Sequence, residues 1–312
     1  MPASSSVPAA TERPLDAGAI ALVVLLCLTW GFNQVAVKLV LPEIPPLMQG
    51  ALRSVGGLAV VLIVAMVRRV PLCARDGTLI PGLAVGTLFG LEFVLMYQGL
   101  VYTTASRAVV FIYIAPFFVA FGSNRLLGER MTGSQWLGLA LSFTAVVIAI
   151  GMPQAGVDRT VLMGDLMMLC GGTMWGATTL VLKASRMNHA PAEKGLVYQL
   201  VISAPILLIG SLVAGETIPA APSRMAMSLM AYQIVWVVGA TFLIWLMLVK
   251  AYSASRLSAF TFLTPLFGVA AGYFVLDEPI SPAFGIAAIL VIVGLYLVNR
   301  PAPRLTDPSK PD

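Results

Sequence analysis

The sequence predicts an all-α integral membrane protein, with ten transmembrane helices forming two inverted five-helix repeats around a central cavity. Three observations lead there. First, 59% of the 312 residues are apolar, 11% are charged, and mean hydropathy is +0.92. A soluble domain carries about 25% charged residues. Second, apolar runs of bilayer-spanning length follow one another almost without pause. Third, one stretch occurs twice. Ala105-Ser106-Arg107, Pro116 and Glu129 return as Ala254-Ser255-Arg256, Pro265 and Glu278, each marker 149 residues later. Trp30-Gly31 with Lys38 returns as Trp175-Gly176 with Lys183, 145 residues later. The difference between the offsets is loop drift, and units this long are copies of a bundle rather than solenoid repeats.

Residues 1–16 are rich in Ser, Pro and Ala and lack a basic, signal-like start, so they read as a disordered tail. The first apolar run has no cleavage site and stays as a helix. Spans are expected near 17–39, 45–67, 79–100, 105–127, 133–152, 162–186, 192–214, 228–250, 255–276 and 282–299. The first repeat takes 17–152, the second 162–300, and 301–312 is a cytoplasmic C-terminal tail. Pro219, Pro222 and Arg224 precede the eighth span and leave its start the least defined.

Loop cations set the orientation. With the N-terminus inside, the cytoplasmic segments hold Arg13, Arg68, Arg69, Arg75, Arg125, Arg130, Lys183, Arg186, Lys194, Lys250, Arg256, Arg300, Arg304 and Lys310. The opposite side holds only Lys38, Arg107, Arg159 and Arg224. Both termini are therefore expected in the cytoplasm. Five spans per repeat is an odd number, so the second repeat must sit upside down, a design that places a site between the halves near the midplane. The +5 net charge is read as this orientation signal, and no nucleic-acid partner is expected. Cys27, Cys73 and Cys170 lack CxxC spacing and the one histidine, His189, lies in a loop. Neither a metal site, a disulfide framework nor a cofactor is indicated.

Pro116 and Pro265 fall at the centres of their spans. Each removes a backbone hydrogen bond and frees the carbonyl four residues back, that of Ile112 or Thr261. Such carbonyls must face protein or a watery cavity. Paired hinges lining a site are the functional reading, and tolerated prolines in packed helices the bland one; Tyr113, Phe260 and Phe262 become stacking candidates. Trp30, Asn33, Gln34 and Lys38 form a polar face on span one, repeated by Trp175, Thr178, Thr179 and Lys183 on span six. These stripes should face inward, as cavity contacts or as interhelical glue. The two lysines read as snorkelling to the interface.

Arg53 and Glu92 read as the deep charges of the bundle. Each is eight residues from the outer end of its span, about 12 Å down at 1.5 Å per residue. Equal depth argues for an intramembrane ion pair, either a structural clamp or a site for a substrate carboxylate or coupling proton. Gln199 and Gln233 are the nearest polar positions in the second repeat. Glu129 and Glu278 read as structural, each close to a helix start at Thr132 or Ser281. Gly82, Gly86 and Gly90 form a small-residue ridge for close packing.

Together these residues resemble the EamA family of the drug/metabolite transporter superfamily. The resemblance covers roughly residues 20–300. It rests on Trp-Gly in spans one and six, Arg53 early in span two, and Ala-Ser-Arg…Pro…Leu-Gly-Glu-Arg ending at Leu127 to Arg130. The second copy ends Leu276-Asp277-Glu278-Pro279, keeping the Glu and losing the Gly and Arg. The resemblance implies a ten-helix bundle, alternating access, and export of small metabolites across a bacterial inner membrane. A small-molecule solute and the lipid bilayer are the expected partners, and no oligomeric state is set.

Other function classes fit poorly. A membrane enzyme needs clustered carboxylates, histidines or a nucleophile beside its base, and no catalytic residues are assigned. A channel would assemble several chains around an axial filter. An ATP-driven pump needs a phosphate-binding loop that the chain lacks. The expected lining is aromatic and amide-rich: Trp30, Tyr97, Gln98, Tyr113, Trp175, Tyr198, Gln199, Trp245 and Phe260. It suits amino acids or related neutral and amphipathic solutes. Efflux of quaternary cations or nucleosides by the same fold is the alternative.

Overall fold

The computed structural model describes residues 15–103, 105–150, 158–277 and 280–300. The N-terminal residues of the expected first tail up to 14, the C-terminal tail and Glu278 lie outside the described residues. The first three spans are single helices, α1 (Ala17–Val40), α2 (Pro46–Val67) and α3 (Leu79–Tyr102). The fourth is α4 (Ala105–Ile112) followed by α5 (Ala115–Leu126); α6 (Gly133–Ile150), α7 (Arg159–Ala184) and α8 (Ala192–Val213) come next. The eighth span runs through α9 (Arg224–Ala231), a π-helical segment (Tyr232–Phe242) and α10 (Leu243–Ala251). The ninth is α11 (Ala254–Phe260) and α12 (Leu263–Leu276), and the tenth is α13 (Phe284–Asn299). Among the described residues nine helical spans have crossing length, and α13 is a shorter apolar helix.

Helix starts are set by capping side chains. The Asp16 carboxylate accepts from Ala19 N at 2.8 Å and opens α1. Asp158 accepts from Val161 N at 3.0 Å, so the sixth span begins at Arg159 rather than near 162. That backbone N–H also holds the Asp158 carboxyl below its ordinary value. Ser223 caps Ala226 N at 3.1 Å and moves the eighth start from the expected 228 to Arg224. Thr132 and Gln135 cap each other reciprocally, Thr132 N donating to Gln135 Oε1 at 2.9 Å, and open α6.

The prolines break their helices at equivalent places. Tyr113 and Ile114 separate α4 from α5 before Pro116, and Thr261 and Phe262 separate α11 from α12 before Pro265. The expected free carbonyls differ in fate. Ile112 is approached by Gly172 of α7, where a Cβ would lie 2.4 Å from the Ile112 oxygen. Thr261 is not free, because its carbonyl accepts from Thr264 N at 2.9 Å in a tighter turn. The neighbouring Phe260 carbonyl accepts instead from Cys27 Sγ at 3.3 Å. Cys27 stands 145 residues before Gly172, so both copies of the first helix meet the break in the opposite repeat.

That exchange is the plan of the whole bundle. α1 packs on α12 of the second repeat, and α7 on α4 and α5 of the first. α2 lies against α8, α6 against α13, and α3 against both α7 and α8. The Trp-Gly pairs follow from this. A Cβ on Gly31 would stand 2.7 Å from the Gly268 nitrogen and 2.8 Å from the Thr264 oxygen. One on Gly176 would stand 2.8 Å from the Phe118 ring. Glycine lets these helices touch the broken spans while the preceding tryptophan turns to the interior. The ridge at Gly82, Gly86 and Gly90 packs on α8, against Tyr198, Ile202, Ser203 and Ile206.

The altered motif at the end of the second repeat keeps its backbone shape. Gly128 has φ 72° and Asp277, 149 residues on, has φ 53°. Aspartate tolerates this left-handed conformation, so the Gly is replaced without loss of the turn.

Candidate functional site

A central cavity of about 170 Å³ opens between the repeats. Of the residues the sequence points to, Trp30, Asn33, Gln34, Tyr113, Trp175, Thr178, Thr179, Gln199 and Trp245 line it, as do Arg53 and Glu92. The other four expected in the lining do not, nor does the stacking candidate Phe262. Tyr97 is buried among Leu47, Ala51 and Leu207, and Tyr198 lies over Gly82. Phe260 is buried at the α11 break, and Gln98 lies outside the lining. Ile112 also lines the cavity, together with Phe89, Phe93, Met96, Leu182, Val237, Phe242, Leu246, Val249 and Thr264, which were not singled out in the sequence.

The two repeats present equivalent positions to this space. Trp30 and Trp175, Asn33 and Thr178, and Gln34 and Thr179 keep the 145-residue offset. α2 and α8 are both 22 residues long and start 146 residues apart, which makes Gln199 the counterpart of Arg53. The symmetry is broken by the π-helical segment. Thr241 within it accepts from Trp30 Nε1 at 2.9 Å, and Trp30 stacks edge-on against Trp245 and Phe242. Trp175 instead stands edge-on to Tyr113, whose ring lies beside Phe262. A π-helical turn widens the backbone and is frequent at functional sites.

Arg53 and Glu92 are 4% and 6% exposed, yet no direct ion pair joins them among the described residues. The Arg53 guanidinium lies over the Phe93 ring, 4.5 Å from its centroid, and 5.9 Å from that of Phe242. Arg53 Nε and Glu92 Oε2 are buried without a hydrogen-bond partner. Asn33 Oδ1 and Thr178 Oγ1, on the same wall, are likewise unpartnered. Buried polar atoms are rarely left so.

A further deep carboxylate escaped the sequence reading. Asp165, buried in α7, is paired with Arg107 and accepts from Thr103 Oγ1 at 2.7 Å. Arg107 is thus a buried cross-repeat partner rather than a loop charge. The signal was visible as a carboxylate inside an apolar span. Glu129 also differs from expectation. It caps α11 of the other repeat, accepting from Ser253 Oγ at 2.7 Å, Ala254 N at 3.0 Å and Ser255 N at 3.1 Å. Lys183 Nζ stands 3.2 Å from Glu129 and also donates to the Tyr252 carbonyl, so it is anchored in protein rather than snorkelling.

More ties between the repeats surround the bundle at both faces. On the face where α1 begins and α13 ends, Arg68 pairs with Glu193 at 2.5 Å and Lys194 with Asp76 at 2.9 Å. On the other, Glu216 accepts from Leu47 N and Met48 N, capping α2. Glu43 there accepts from Ser223 N and Oγ, and that backbone donor holds its carboxyl below the ordinary value.

The family model described as EamA-like transporter matches the chain twice, over residues 17–151 and 162–300. The chain belongs to the EamA-like transporter family. It is a multi-pass membrane transporter. It is 24% identical over 284 residues to an uncharacterized transporter, YoaV, of Bacillus subtilis, covering 88% of this chain and 94% of that protein. It is 25% identical over 287 residues to a probable amino-acid metabolite efflux pump of Escherichia coli, covering 88% and 93%. A crystal structure at 17% identity superposes with a TM-score of 0.75 over 90% of this chain and 96% of that one, which shows the shared fold.

Proposed function

We propose that this transporter exports amino acids or related neutral and amphipathic metabolites by alternating access. The observation that carries this is the cavity walled by equivalent positions of two inverted repeats, with ties between the repeats at both faces. In an inverted repeat, exchanging the conformations of the two halves closes one face and opens the other around a fixed site. Pro116 and Pro265 are the hinges of that exchange, since each breaks a span beside the cavity and beside the first helix of the opposite repeat. Among the relatives, the Escherichia coli protein's name points to amino-acid metabolites. The aromatic and amide wall suits the same solutes. The chain sits in the inner membrane with both termini cytoplasmic, a reading that the excess of cations in the expected cytoplasmic segments supports.

The test is counterflow in proteoliposomes with a panel of amino acids, quaternary cations and nucleosides. Saturable exchange of amino acids is expected. Exchange of quaternary cations or nucleosides without any amino acid overturns the substrate reading. Reporter fusions at the C-terminus that are active only outside the cytoplasm overturn the orientation.

A further inference from the structure

We propose that Arg53 and Glu92 are the two poles of a subsite for a zwitterion, the guanidinium taking a carboxylate and Glu92 taking an ammonium group. This deepens the amino-acid reading above and rests on it.

The chemistry follows from what the two groups leave undone. Both are buried, both line the same cavity, and each carries a polar atom without a partner. The Arg53 guanidinium covers Phe93 of α3, the helix that carries Glu92, and Arg53, Glu92 and Phe93 all line the same cavity. Opposite buried charges lining one cavity would satisfy one another most simply by touching. Instead the Phe93 and Phe242 rings hold the guanidinium, and the carboxylate stands apart. A gap between opposite charges in a low-dielectric wall fits a ligand that brings both signs. A zwitterion satisfies both poles and leaves the cavity neutral. A permanent cation satisfies Glu92 alone, and a lone carboxylate Arg53 alone, so each leaves one buried charge uncompensated.

The second repeat does not duplicate the poles. Gln199 occupies the position equivalent to Arg53, and Thr241 lies 149 residues after Glu92 with its hydroxyl already engaged by Trp30. The subsite therefore has one location, on α2 and α3. Asn33 Oδ1, unpartnered on the facing helix, is a second acceptor for the ammonium. The aromatic wall of Trp30, Phe89, Phe242 and Trp245 is left to the solute's side chain.

The experiment uses the full-length protein in proteoliposomes and four probes: leucine, its methyl ester, N-acetyl-leucine and a neutral nucleoside. Wild type is expected to exchange leucine and to bind either blocked form at least about tenfold more weakly, the ratio that losing one charge-assisted contact brings. Glu92→Gln should raise the KM for leucine by a similar factor and leave N-acetyl-leucine unaffected. Arg53→Gln should do the same with the methyl ester spared. Arg53→Lys and Glu92→Asp keep the charges and are read by ligand-induced thermal stabilisation if the neutral variants fold poorly; they should retain part of the leucine response. Leucine exchange with unchanged KM in both neutral variants overturns the subsite and leaves the amino-acid reading intact. Leucine exchange retained with unchanged KM but pH-gradient-driven leucine transport lost in Glu92→Gln assigns Glu92 to proton coupling and also overturns it. Nucleoside exchange without leucine exchange in wild type overturns the amino-acid reading itself.

Discussion

Removing the Glu129 carboxylate should loosen the two repeats from one another. In Glu129→Ala three donors at the start of α11 lose their acceptor, and Lys183 loses a carboxylate 3.2 Å away. The two side chains are 6% and 9% exposed, so solvent does little to replace the contact. Breaking a buried pair by removing one partner costs about 3–5 kcal/mol, much of it the uncompensated charge left behind. The hydrogen bonds to the helix start fall within that figure rather than adding to it, since one group makes them all. Glu129→Gln keeps an acceptor and should lose less. Lys183→Met leaves the carboxylate on the helix start and should also lose less. Unfolding free energies from SDS titration in mixed micelles, taken through the cycle Glu129→Gln, Lys183→Met and both, should give a coupling of at least about 1 kcal/mol. If Glu129→Ala costs under about 0.5 kcal/mol, or the double variant is additive, the cross-repeat latch is wrong.

Other perturbations test the packing and the loops. Gly172→Ala places a Cβ 2.4 Å from the Ile112 oxygen and should cost about 1–3 kcal/mol by overpacking. Gly133→Ala, with nothing within 4 Å, should be neutral in the same titration. Asp76 is held below its ordinary 3.8, first by the Thr78 hydroxyl and then by Lys194. A depressed carboxyl stabilises above its unfolded value and loses that contribution as pH falls through the folded one. Asp76→Asn should therefore melt below wild type at neutral pH, and the gap should begin to narrow below about pH 3.8 and vanish only at a still lower pH. Pro116→Ala and Pro265→Ala restore a helix donor beside the cavity, and in counterflow should lower turnover several-fold with KM nearly unchanged; unaltered turnover in both removes the hinge role.

Hydropathy located the spans because lipid demands long apolar helices, and the fixed offsets exposed the duplication because both copies keep the same break and turn. Which side of each helix faces inward was harder to read. A helix surrounded by lipid and protein is apolar all round, so the periodic signal that orients a soluble helix is nearly absent. The polar stripe of Trp30, Asn33 and Gln34 could be oriented because amides avoid lipid. Tyr97 and Tyr198 could not, since an aromatic ring suits a packed interface as well as a cavity wall. Glu129 was placed beside Thr132 because only its sequence neighbours were in view. Its real partner is 125 residues away and depends on how the repeats interlock. The π-helical segment has no marker of its own in the sequence.

The interlocking has a consequence for how the chain is made. α1 is synthesised well before the surface that accepts it, at Thr264, Phe267 and Gly268, which lies more than two hundred residues further along the chain. Until then the small face at Gly31 has no partner, and the nascent first half holds an unfilled seat. Assembly must therefore finish from both directions at once, with the earliest helix among the last to dock. Two separately expressed halves should complement each other for the same reason, since each carries the piece the other lacks.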